Sequence, residues 1–90
     1  MSGMVIQESD LSNIERLRWQ CRRGMLELDV LLEAFLDQRY ADLPTHLKRL
    51  FVQLLEYPDP VIHAWCVGGD IPEDAELREL ITDIRATKVA

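Results

Sequence analysis

The stretch Arg22-Arg23-Gly24-Met25-Leu26-Glu27-Leu28-Asp29 joins the end of one helical pattern to the start of another through a single glycine. Residues 11–23 carry Arg16, Arg18, Arg22 and Arg23 against one acid, Glu15, whereas the chain beyond Gly24 is predominantly acidic. Glycine adopts the left-handed backbone conformation that ends helices without the strain a Cβ imposes. A helix running to about Arg23, stopped by Gly24 and followed at once by a helix from about Met25, forces a tight corner. The segment therefore reads as a small docking surface built where two helices meet.

Outward from that corner, apolar residues recur at helical spacing, and no alternating or β-branched stretch competes with them. The first helix is predicted from Ser12, which forms a Ser-x-x-Glu capping box with Glu15. The second, to about Arg39, places Leu28, Leu31, Leu32 and Phe35 on one face. Pro44 and Thr45 open a third helix with the stripe Leu47, Leu50, Phe51, Leu54 and Leu55, the strongest apolar periodicity of the chain, and so the expected core helix. Pro58-Asp59-Pro60 stops it and starts a short fourth helix, with Asp59 as N-cap and Pro60 at the first helical position. Gly68-Gly69 ends that helix. A fifth, about Glu73 to Ala86, returns Leu77, Leu80, Ile81 and Ile84 to the core, with acids in its first turn to match the helix dipole. The expected fold is all-α: a compact, mostly antiparallel five-helix bundle over residues 11–90, preceded by a tail at 1–10.

Ninety residues make one domain. No apolar run approaches the ~20 residues that span a bilayer, and the N-terminus lacks the pattern of a signal or transit peptide, so a cytoplasmic protein is expected. A net charge of −6 argues against a nucleic-acid binder, whose affinity rests on Lys and Arg neutralising phosphates. An acidic protein with one basic stripe points instead to a specific protein partner. Cys21 and Cys66 have no metal-ligand spacing and fall on apolar stripes, where buried thiols are expected. His46 and His63 stand alone, without a second ligand one helical turn away. No nucleophile–base pair, phosphate loop or carboxylate dyad is recognisable, so no catalytic activity is predicted.

At about 100° per residue, Ile14, Leu17 and Cys21 share one face of the first helix, while Arg16, Trp19 and Arg23 share the opposite one. Trp19 is thus either covered by the tail or the last helix, or it anchors an interface, a role in which Trp and Arg are enriched. Gly24 is expected at positive φ and leaves a gap through which a partner's backbone can approach. Arg23 and Glu27 flank the gap with a five-donor fork and an acceptor. Trp65 shares the apolar stripe of the fourth helix with Ile62 and Cys66, which favours core packing.

The Arg-x-x-Trp-x-Cys-Arg-Arg-Gly-Met-x-Glu-Leu-Asp pattern made by Arg16, Trp19, Cys21, Arg22, Arg23, Gly24, Met25, Glu27, Leu28 and Asp29 resembles that of the SdhE/YgfY family of FAD assembly factors. Leu54-Leu55-Glu56, Asp59-Pro60, Trp65 and Asp74-Ala75-Glu76-Leu77 extend the likeness over roughly residues 14–85; Pro58 and Gly68-Gly69 depart from it. The resemblance implies a five-helix chaperone that promotes covalent attachment of FAD to the flavoprotein subunit of succinate dehydrogenase and of fumarate reductase. It further implies that the FAD belongs to the partner rather than to this monomer. Arg23, Gly24 and Glu27 are then expected to meet the flavoprotein near its FAD site, with Arg16, Trp19 and Asp29 extending the contact. An antitoxin-like role toward a small membrane toxin is the alternative.

Overall fold

The structure, a computed structural model, describes residues 11–89. The expected tail at 1–10 lies outside the described residues. Among the described residues from Ile14 onward, five α-helices follow one another: α1 Ile14–Gln20, α2 Leu26–Gln38, α3 Thr45–Leu54, α4 Asp59–Cys66 and α5 Ala75–Arg85, with a 3₁₀ turn at Tyr40–Asp42 between α2 and α3. The all-α reading holds, and among the described residues there is no strand. No helix among them is long and apolar enough to cross a membrane.

The periodic apolar residues are the ones that lose water. Leu17, Cys21, Leu28, Leu32, Phe35, Phe51, Leu54, Ile62, Leu80 and Ile84 are buried in one contiguous core, with Met25, Leu31, Leu50, Trp65 and Val67 packed against its margin. Phe51 stacks obliquely between Phe35 and Tyr40, with ring centroids 5.3 and 5.5 Å away. α2 packs on α1, α4 and α5 as well as on the 3₁₀ turn, whereas α3 packs chiefly on α5. The hub is therefore α2 rather than the more strongly periodic α3. Periodicity measures how one-sided a helix is, not how many neighbours it has.

Four helix starts and stops differ from expectation. α1 begins at Ile14 with Asn13 as N-cap, its side-chain oxygen accepting the Arg16 amide at 3.2 Å, in place of the box at Ser12 and Glu15. Leu11 just upstream is buried, and its carbonyl accepts the Tyr40 hydroxyl at 2.5 Å, which fixes where the chain enters the helix. α4 begins at Asp59 with Pro58 as N-cap, because the Asp59 carboxylate is taken by Arg23 instead of by the amides of its own helix. α1 ends at Gln20, about a turn before the expected Arg23. α5 begins at Ala75 rather than at about Glu73, because Asp74 caps it by accepting the Leu77 amide at 2.9 Å.

Candidate docking site

The early end of α1 builds the site. Residues 21–25 pass from α1 to α2; the Cys21 and Arg22 amides still bond the Leu17 and Trp19 carbonyls at 3.0 and 3.1 Å, but those of Arg23 and Gly24 need other partners. Asp29, in the first turns of α2, reaches back and supplies two. Its Oδ1 accepts the Arg23 amide at 2.8 Å, and its Oδ2 accepts the Gly24 amide at 3.0 Å. The carboxylate thus caps the chain just ahead of the helix, near the positive end of the α2 dipole. The Arg23 side chain closes the other side of the corner, donating from Nη1 to the Gln20 carbonyl at 2.7 Å and from Nε to Asp59 Oδ1 at 2.7 Å.

Gly24 sits between these clamps with φ +83°, as the corner reading required. A Cβ built on it would meet nothing within 4 Å, so its outer side is open. Glu27, the second residue of α2, is exposed. Of the six residues singled out from the sequence, Arg16, Trp19, Gly24 and Glu27 are exposed, whereas Arg23 and Asp29 are half-buried and hold the corner together.

Trp19 is 70% exposed. The reading in which another element covers it is thus set aside among the described residues. The Arg22 guanidinium carbon lies 5.0 Å from the Trp19 ring centroid, a cation–π distance, and Glu15, Arg18, Trp19 and Arg22 line a cleft of about 240 Å³. Arg18 is itself paired with Asp37 on α2 at 2.6 Å, and this guanidinium holds the Asp37 carboxyl below the usual carboxylate range.

On the opposite flank of Gly24, Leu26 is 78% exposed. It heads an open groove of about 470 Å³ lined by Leu26, Glu27, Val30, Leu31, Val67 and Val89. Sequence reasoning passed over Leu26, although it lies off the Leu28–Leu31–Leu32–Phe35 stripe, the signal of an apolar residue left outside the core. It also read Asp59 only as a helix cap. Nothing in the local sequence links positions 23 and 59; only the packing of α4 beside the corner brings them together.

Both thiols behave as core. Cys21 and Cys66 are free and buried, and burial pushes each up to about 12, so neither offers a thiolate. Among the described residues no group of three or more His, Cys, Asp or Glu side chains is arranged to hold a metal ion.

The bundle presents an open glycine corner, with an exposed tryptophan in the helix before it and an exposed acid in the helix after it. The chain belongs to the succinate dehydrogenase flavinator family, whose model matches residues 15–88. It is 49% identical over 76 residues to the FAD assembly factor SdhE of Shewanella oneidensis, covering 84% of this chain and 93% of that protein. To the FAD assembly factor SdhE of Coxiella burnetii it is 44% identical over 71 residues, covering 79% and 87%. To that of Idiomarina loihiensis it is 50% identical over 74 residues, covering 82% of each.

Proposed function

We propose that this protein binds the flavoprotein subunit of succinate dehydrogenase and promotes the covalent attachment of FAD to it. The observation that carries the reading is the corner itself, a clamped Gly24 at positive φ with open space beyond it, in a chain of the flavinator family. In this reading the protein acts as a chaperone and contributes position, not chemistry. The flavoprotein supplies both the FAD and the side chain that bonds to it, and the bundle stabilises the arrangement in which the two meet. Holding reacting groups in a productive geometry accelerates a reaction without any catalytic group on the holder. Fumarate reductase flavoprotein is a second client of the same surface, the protein works as a monomer in the cytoplasm, and it binds no FAD of its own.

Gly24, Glu27, Trp19 and Arg16 form the contacting surface in this account, while Arg23 and Asp29 shape it. The direct test is reconstitution: purified apo-flavoprotein, FAD and succinate are incubated with and without this protein, and covalent flavin is read by fluorescence after denaturing electrophoresis. Faster flavin attachment in its presence supports the reading; equal rates refute it.

A further inference from the structure

Arg23 uses its guanidinium inward. Nε donates to Asp59 Oδ1 at 2.7 Å, Nη1 to the Gln20 carbonyl at 2.7 Å, and Nη2 points to the Tyr57 carbonyl at 3.4 Å. The side chain is only 16% exposed. One planar fork thus ties the end of α1 to the segment that enters α4, and Tyr57 fastens that segment to α4 through an edge contact with Trp65, ring centroids 5.1 Å apart. Between the two tied ends lies Gly24, whose amide and that of Arg23 are held by Asp29. Asp59 is at the first position of α4, where the helix dipole favours a carboxylate.

We propose that Asp59 is a positioning residue for partner docking: by anchoring Arg23 across the corner it fixes the Gly24 backbone in the shape that the flavoprotein meets. The inference rests on the docking function above and deepens it, since it divides the corner into residues that touch the partner and residues that hold the contact surface. The Arg23 and Gly24 amides, bonded to Asp29, take no part in a helical ladder that would define them. Without the anchor they sample other conformations, and binding must then bear the entropy of ordering them. Lysine at position 23 does not substitute, because a point charge on a flexible stem cannot reach three acceptors in fixed directions. The Asp59 side chain is 39% exposed, so the pair is partly screened by water and contributes little to folding, and a positioning role shows as lost affinity with a nearly unchanged melting temperature.

The test is a double-mutant cycle on the full chain, titrating wild type, Asp59→Ala, Arg23→Ala and the double variant into the cognate succinate dehydrogenase flavoprotein subunit by calorimetry. Hydrogen exchange of the Gly24 amide is followed in each unbound protein. Asp59→Ala is expected to weaken binding roughly five- to thirtyfold, the range for coupled neighbours, and to speed Gly24 exchange. Added to Arg23→Ala it is expected to do nothing further. Additive losses, with Gly24 exchange unchanged, would mean that Asp59 touches the flavoprotein itself, and undiminished affinity would mean that the ion pair is incidental; either overturns the proposal while leaving the docking function intact. A wild-type protein that does not bind sinks the functional reading and the proposal together. Should Asp59→Ala unfold at the assay temperature, Asp59→Asn, which removes the charge and keeps the shape, takes its place in the cycle with the same expected non-additivity.

Discussion

The Arg22 guanidinium lies 5.0 Å from the centroid of the Trp19 ring, and the ring is nonetheless mostly in water. An exposed tryptophan pre-stacked with an arginine is a rigid, amphipathic anchor that loses little rotamer freedom when a partner covers it. Trp19 and Trp65 are also the protein's only two tryptophans, and they differ in environment. In single-tryptophan variants, Trp19 is expected to emit as a solvated indole and to shift on addition of flavoprotein. Trp65, packed at the core margin against Tyr57, is expected to emit to the blue and stay put. Trp19→Ala should weaken binding by about 2 kcal/mol or more, the signature of a hot spot, while changing stability by no more than about 0.5 kcal/mol.

Gly24→Arg separates space from strain. No atom lies within 4 Å of the position a Cβ would take, so the penalty in the isolated protein is that of placing a side chain at φ +83°, about 1 kcal/mol. The variant should fold, with a slightly lower melting temperature. Partner binding should be abolished, because the side chain fills the gap on the outer side of the corner. A variant that folds and binds normally would remove the corner from the interface.

Glu27→Ala and Leu54→Ala form a contrasting pair. Glu27 is exposed, so its truncation should leave stability within about 0.5 kcal/mol while flavin attachment falls. Leu54 is fully buried, and its truncation should remove roughly 2–5 kcal/mol, so that any loss of flavin attachment tracks the loss of folded protein. Leu50, although on the same periodic stripe, is half-buried and should cost less. Melting temperature, soluble level and covalent flavin measured together distinguish the cases; equal destabilisation by Glu27→Ala and Leu54→Ala would make Glu27 structural.

The buried thiols set the alkaline limit. Cys21 and Cys66 are raised from 9.0 to about 12 and Tyr40 from 10.0 to about 12, in each case chiefly by burial. Their neutral forms are favoured in the folded state, so this contribution is present in full below about pH 9. It is lost progressively as pH rises toward 12, because the unfolded chain ionises first. Urea midpoints should fall between about pH 8 and 10.5, by on the order of 1 kcal/mol per thiol, and less so in the double Cys→Ala variant. Thiol labelling of the native protein near pH 8 should be slow and limited by unfolding.

The helices and their buried faces were legible because one-sided periodicity and Pro/Gly punctuation are local signals, as the buried Leu77, Leu80, Ile81 and Ile84 of α5 illustrate. Gly24 at positive φ and the outward Trp19 were legible for the same reason. Helix ends were misplaced where long-range partners intervened. Asp29 captures two amides, and Arg23 bonds across 36 positions to Asp59, which together end α1 early and remove Asp59 from its capping role. The outward Leu26 was legible in principle, as an apolar residue off the stripe. The sharing of the corner between contact and clamp was not, because it depends on how α4 packs beside the corner.

Docking at the corner around Gly24 is proposed to promote flavin attachment in the partner. In cells lacking this gene, covalent flavin fluorescence of the succinate dehydrogenase flavoprotein subunit should be strongly reduced, restored by the wild-type gene, and not restored by Gly24→Arg expressed as soluble, folded protein to the same level. Full flavin fluorescence in the deletion strain, or full rescue by Gly24→Arg, would contradict it.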